Sequence, residues 1–150
     1  MITLKRTNSD NPHFVELVKL LDAYLTTVDG DEHAFYDQFN GIENLRYVVV
    51  AYDEDHPVGC GAIKEFRSDS MEVKRMFVDP AFRGNGIAKS VLSRLETWAA
   101  ELGYQKCVLE TGKRQIEAVA LYRRCGYQSI PNYEPYTAME NSVCFEKLIR

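Results

Sequence analysis

Val78-Asp79-Pro80-Ala81-Phe82-Arg83-Gly84-Asn85-Gly86-Ile87-Ala88 joins an apolar, strand-like run to a long amphipathic stretch. A helix leaves its first N–H groups without intrahelical partners, and its dipole puts positive potential at that end. Glycines there leave the backbone bare, so a phosphate can approach it. Arg83 adds a full positive charge. The stretch reads as a diphosphate cradle.

Three phosphate-binding patterns compete for it. A P-loop needs Gly-x-x-x-x-Gly-Lys-Ser/Thr. Lys89-Ser90 matches its end, but Ala88 and Arg83 stand where its glycines belong. A dinucleotide fingerprint needs Gly-x-Gly-x-x-Gly directly after a strand and an acidic residue about 20 positions on. Gly84 and Gly86 fit and Glu110 lies roughly in range, but Lys89 takes the third glycine and the strand ends too early, at Val78. The third pattern is Arg/Gln-x-x-Gly-x-Gly/Ala after a strand ending Val-x-Pro. Arg83-x-x-Gly86-x-Ala88 satisfies every position. A plain glycine-rich helix cap would also fit so few residues, and the rest of the chain decides against it.

Downstream, Ile87, Ala88, Val91, Leu92, Leu95, Trp98, Ala99 and Leu102 recur at helical spacing, which predicts a helix over 84–102 with Gly103 as its stop. Gln105–Leu109 reads as a strand, Gln115–Cys125 as a helix ended by Gly126, and Ser142–Ile149 as a last strand. Upstream, Ile2–Arg6 alternates as a strand. Asn11-Pro12 opens a helix whose apolar positions are Phe14, Leu17, Val18, Leu21 and Leu25. Gly30 closes it, and Asp31 caps a short helix holding Phe35, Tyr36 and Phe39. Tyr47–Tyr52 and Val58–Phe66 form a hairpin around the turn 53–57, and Met71–Val78 is the fourth strand. This order predicts one α/β (α+β) domain over 1–150, a mixed sheet with helices on its faces.

With 150 residues the chain can bury roughly 68–70% of its unfolded surface. A net charge of −4 argues against nonspecific nucleic-acid binding, although Lys74, Arg75, Arg83, Lys89 and Arg94 cluster around the cradle. Cys60, Cys107, Cys125 and Cys144 form no Cys-x-x-Cys pair and sit among apolar neighbours, which points to free thiols and a reducing cytoplasm. The histidines, His13, His33 and His56, lack metal-ligand spacing, so no metal is expected. There is no Gly-x-Ser-x-Gly elbow, no signal-like start and no apolar run near the ~18 residues of a membrane span.

Arg83-x-x-Gly86-x-Ala88 resembles the acyl-CoA pyrophosphate loop of the GNAT acetyltransferase superfamily. Leu109-Glu110-Thr111 followed by Gln115-x-x-Ala118-x-x-Leu121-Tyr122-x-x-x-Gly126-Tyr127 is similar to the family's second signature, with Gln115 in place of the usual Asn and Tyr127 in place of Phe. The resemblance covers about residues 45–148. It implies a central, mostly antiparallel sheet splayed between the fourth and fifth strands, flanked by about four helices. It implies acetyl-CoA as cofactor, with pantetheine along Met76, Phe77 and Val78 as an added strand. The diphosphate would lie on Arg83, Gly84, Asn85, Gly86, Ile87, Ala88 and Lys89, with Gln115 within reach.

Acetyl transfer to an amine needs a base, an oxyanion donor and a proton for the leaving thiolate. The resemblance puts Tyr122 in the last role and a backbone N–H of Phe77 or Val78 in the second. Two carboxylates compete for the first. Glu72 stands eleven residues before Arg83, as the basic glutamate does in a histone-acetylating branch. Glu110 matches the acidic strand end of a ribosomal-protein-acetylating branch. Tyr133-Glu134-Pro135-Tyr136, together with Tyr24, Phe35 and Tyr36, is expected to border an aromatic, partly acidic acceptor pocket suited to a cationic amine. Small amines, amino acids, aminoglycosides, peptide N-termini and lysines all fit as acceptor, and the chain could act as monomer or homodimer. The rival reading is a non-catalytic acyl-CoA sensor on the same fold.

Overall fold

The computed structural model describes residues 1–29 and 44–150. Helix α1 (Pro12–Asp29) follows Asn11, whose side-chain oxygen accepts from the His13 N–H at 2.8 Å and the Phe14 N–H at 3.4 Å. Its Phe14, Leu17, Val18 and Leu21 are buried against Val48, Val50, Cys60, Ala62 and Phe77 of the sheet. Each such side chain contributes about 1.5–3 kcal/mol on burial. Helix α2 (Ile87–Glu101) covers the opposite face, with Ile87, Val91, Leu92, Leu95 and Ala99 packed on Val49, Val58, Ile63, Met71 and Val73. Helix α3 (Ile116–Arg124) adds Tyr122 to that second core.

The strands are β1 (Ile2–Thr7), β2 (Tyr47–Asp53), β3 (His56–Arg67), β4 (Ser70–Val78), β5 (Lys106–Gly112), β6 (Gln128–Ile130) and β7 (Ser142–Leu148). They form one mixed sheet in the order β1-β2-β3-β4-β5-β7-β6. All neighbours are antiparallel except β4 and β5. That parallel pair is joined only at Ser70–Lys106, Met71–Cys107 and Glu72–Val108. Beyond Glu72 the strands splay, as the family resemblance implied.

Three details differ from the sequence reading. Helix α2 starts at Ile87 rather than at residue 84, because Gly84 and Gly86 sit at φ +85° and +76°, outside the right-handed helix. A 3-10 turn (Pro80–Phe82) precedes them, held by Asp79, whose carboxylate accepts from the Ala81 N–H at 2.9 Å. Strand β6 was not expected; three residues are too few to show an alternation. The short helix expected around Phe35, Tyr36 and Phe39 lies outside the described residues. Three α-helices stand among the described ones.

Strand β4 is interrupted. Cys60 pairs with Phe77 and Ala62 with Lys74, so Gly61 alone opposes Arg75 and Met76. Arg75 is the bulge residue, at φ +61°. A Cβ on Gly61 would fall 2.5 Å from the Met76 sulfur and 2.9 Å from Leu95 Cδ1, so only glycine lets α2 close over this bulge. Among the described residues no helix is long and apolar enough to cross a membrane.

Candidate active site

The splay leaves two joined cavities. The larger, about 700 Å³, lies between the start of α2 and one side of α3. Met76, Phe77 and Val78 line it from β4, and Arg83, Gly84, Gly86, Ile87, Ala88 and Lys89 from the cradle. The first intrahelical bond of α2 runs from the Ser90 N–H to the Gly86 carbonyl, at 3.0 Å. The amides before Ser90 therefore have no intrahelical acceptor. A Cβ at Gly84 or Gly86 would meet nothing within 4 Å, so the loop stands open rather than packed. Arg83 Nε donates to the Val78 carbonyl at 3.0 Å, and its guanidinium lies 5.6 Å from the Tyr24 ring centre. That anchor keeps the charge beside the cavity. Lys89 and Arg124 are further cations in the wall.

Two expected residues fall differently. The Asn85 side chain donates back to the Phe82 carbonyl at 3.1 Å and does not line this wall. Tyr24, expected near the acceptor, lines the larger cavity instead. Phe35 and Tyr36 lie outside the described residues.

The smaller cavity, about 90 Å³, opens toward α1. Glu72, Val73, Lys74, Arg75 and Met76 form its β4 wall, and Glu110, Thr111 and Gly112 its β5 wall. Leu21, Leu25 and Tyr136 close it. Leu21, Met76, Gln115 and Tyr122 line both cavities. Tyr122 thus sits at the junction, its ring packed 5.9 Å from that of Tyr127 and 6.4 Å from that of Phe145. Burial raises its hydroxyl well above the ordinary tyrosine range, and the charge of Glu110 and the neighbouring Cys125 push the same way. The group stays an O–H donor at neutral pH.

Tyr133 was expected to border the acceptor. It is buried and supports the site from behind. Its hydroxyl donates to Glu72 Oε2 at 2.7 Å, and its ring sits 4.6 Å from Phe66 and 5.9 Å from Tyr136. Burial first, then the Glu72 charge, holds this hydroxyl protonated. The loop carrying it is tied by one side chain: Asn132 Nδ2 donates to the carbonyls of Tyr136, Met139 and Ser142 at 3.2, 3.3 and 3.0 Å. The smaller cavity is less acidic than the pocket the sequence suggested, because Lys74 and Arg75 line it. Lys74 shares the face of Glu72 by ordinary strand alternation, and Arg75 joins it through the bulge. Arg124 was missed as well, a basic residue in the last turn of α3 with no motif to flag it.

A cationic helix start beside a splayed parallel strand pair, with a tyrosine where two cavities meet, is the architecture of an acyl-CoA-dependent transferase. The acetyltransferase (GNAT) family profile matches residues 14–127, and the chain belongs to that family. It is 34% identical over 149 residues to an IAA acetyltransferase of Azospirillum brasilense, covering 97% of both chains. It is 31% identical to the Escherichia coli N-acetyltransferase YjgM, covering 83% of this chain and 80% of that one. Among solved structures, a Klebsiella pneumoniae protein assigned to the acyl-CoA N-acyltransferases superposes with a TM-score of 0.84 at 30% identity, covering 100% and 99% of the chains. A Thermoplasma acidophilum N-acetyltransferase, crystallised with coenzyme A, shares the fold at a TM-score of 0.71 and 13% identity, covering 99% of each chain.

Proposed function

We propose that this acetyltransferase moves the acetyl group of acetyl-CoA onto a primary amine by direct attack in a ternary complex. The observation that carries the reading is Tyr122 at the junction of the two cavities, with Glu72 and Glu110 lining the smaller one. The larger cavity suits coenzyme A. Its bare amides at Gly84–Lys89 and its Arg83, Lys89 and Arg124 charges fit a diphosphate, and the open edge of Met76–Val78 fits the pantetheine amides. The amine enters from the smaller cavity.

An ammonium with a pKa near that of Lys, ~10.4, is no nucleophile until it loses a proton. Glu72 takes that proton, directly or through water. Glu110 is the second reading, because its charge is near enough to perturb Tyr122. The amine nitrogen then bonds to the carbonyl carbon as the carbon–sulfur bond breaks. A backbone N–H of Phe77 or Val78 stabilises the charge growing on the carbonyl oxygen. Tyr122 gives its proton to the departing thiolate and regains one from solvent. Four free thiols suit a reducing cytoplasm.

Thiol release from acetyl-CoA over a panel of amines tests the transfer, and a thermal shift tests the cofactor. At 100 times its dissociation constant acetyl-CoA adds about 2.7 kcal/mol to stability. Folded protein with no shift at millimolar acetyl-CoA would defeat the cofactor reading. Binding without turnover on any amine would leave the sensor alternative.

A further inference from the structure

The acceptor cavity carries charges of both signs. Glu72 and Glu110 are joined there by Lys74 and Arg75. Arg75 is the unusual member. Its side chain is only 4% exposed, on a backbone at φ +61° that L residues seldom adopt. Nη1 donates to Asp22 of α1 at 2.7 Å, Asp22 itself being 40% exposed, while Nε is buried without a partner among the described residues. A guanidinium has five N–H donors and a fork that matches a carboxylate. Burying one that is so little used is costly, and a strained bulge that holds it in a cavity wall points to a ligand. Lys74 Nζ stands 3.8 Å from Glu72 Oε1, so a cation and a carboxylate are interleaved along one edge.

We infer, resting on the transferase reading above, that the acceptor is an α-amino acid. Its carboxylate is received by Arg75 with Lys74, and its amine faces the Glu72 and Glu110 carboxylates. A simple amine or polyamine would bring positive charge against two cations and offer no acceptor to the unpartnered Arg75 Nε. A zwitterion meets the cavity charge by charge. Leu21, Leu25 and Tyr136 supply an apolar surface for its side chain. A peptide N-terminus or a protein lysine lacks the free carboxylate beside the amine.

The test compares L-amino acids, their α-amides and the corresponding decarboxylated amines. It has two readouts: thiol release from acetyl-CoA, and the thermal shift of the CoA-saturated protein. Loss of one partner of a desolvated charge pair weakens recognition roughly 30-fold or more. At least one amino acid should therefore exceed its amide by that factor in kcat/KM, carried mainly by KM. Arg75→Lys should collapse the ratio, while Asp22→Asn should keep it. Amides or simple amines used as well as the acids would overturn the inference and leave the transferase reading intact. Parallel losses of melting temperature and of acid preference in Arg75→Lys and Asp22→Asn would also overturn it, by making Arg75 a clip between β4 and α1. If no acceptor releases thiol, the transferase reading fails and the thermal shift decides. Stabilisation by acids over amides supports the site, and its absence overturns it.

Discussion

Replacing Gly86 by Ala separates fold from ligand. At φ +76° an L side chain costs roughly 1–2 kcal/mol. The added Cβ meets no heavy atom within 4 Å, so no clash with the protein joins that cost. For a domain this size the melting temperature should fall about 2–4 °C per kcal/mol. Ligand binding should lose more. Gly86 lines the larger cavity at the first turn of α2, and a methyl group there stands between a phosphate and the amides that receive it. Losing one charge-assisted hydrogen bond is worth about 1.5–3 kcal/mol, or roughly 10- to 150-fold in Kd. Gly103→Ala is the matched control. It has φ +96°, nothing within 4 Å of its Cβ, and a place at the far end of α2 away from the cavity. Both variants should melt slightly earlier, and only Gly86→Ala should lose affinity for acetyl-CoA by titration calorimetry. Equal affinity in Gly86→Ala and wild type would show that the phosphates lie elsewhere.

Tyr122→Phe keeps the ring and its packing, so stability should change little. Turnover should fall about 10²–10⁴-fold with KM nearly constant, and near-normal turnover with rate-limiting chemistry would remove Tyr122 from the mechanism. Glu72→Gln should lower the rate at neutral pH or move the alkaline-rising limb of the profile, with acetyl-CoA affinity kept. A silent Glu72→Gln beside a crippled Glu110→Gln would transfer the base role to Glu110. Alkaline stability follows from the buried thiols. Desolvation pushes Cys60 and Cys107 from 9.0 up to about 12 and Cys144 up to about 11. The folded state then holds protons that the unfolded chain releases. Stability is therefore full below pH 9 and declines above it by about 1.4 kcal/mol per pH unit for each such thiol. Urea midpoints at pH 7, 9 and 10 measure this, and a flat profile would contradict it.

The open helix start was legible because its signal is local. Two glycines before an amphipathic stripe signal a bare helix start, but their left-handed backbone was not read and the helix was expected from residue 84. Helix α1 was legible from Asn11-Pro12 for the same reason. The bulge was not. Arginine is an uncommon residue at positive φ, and Met71–Val78 reads as an unbroken strand. The error propagates: without the bulge, nothing indicates that Arg75 reaches α1 and the smaller cavity. Tyr133 shows a second limit. Its aromatic character suggested an acceptor wall, but its role depends on a carboxylate 61 residues away in the chain. No spacing rule connects them. Glu72, Glu110 and Tyr122 were singled out through motif resemblance, and the fold places all three in the lining of one small cavity.

The short β4–β5 junction has a mechanical consequence. Strand pairing between the first four strands and the last three rests on three residue pairs, while the Tyr133–Glu72 bond and one core beneath α2 also bridge them. A strand-like ligand in the gap that bonded to both β4 and β5 would act as a missing rung. With the gap so occupied, amides along Val73–Val78 should exchange more slowly with solvent deuterium.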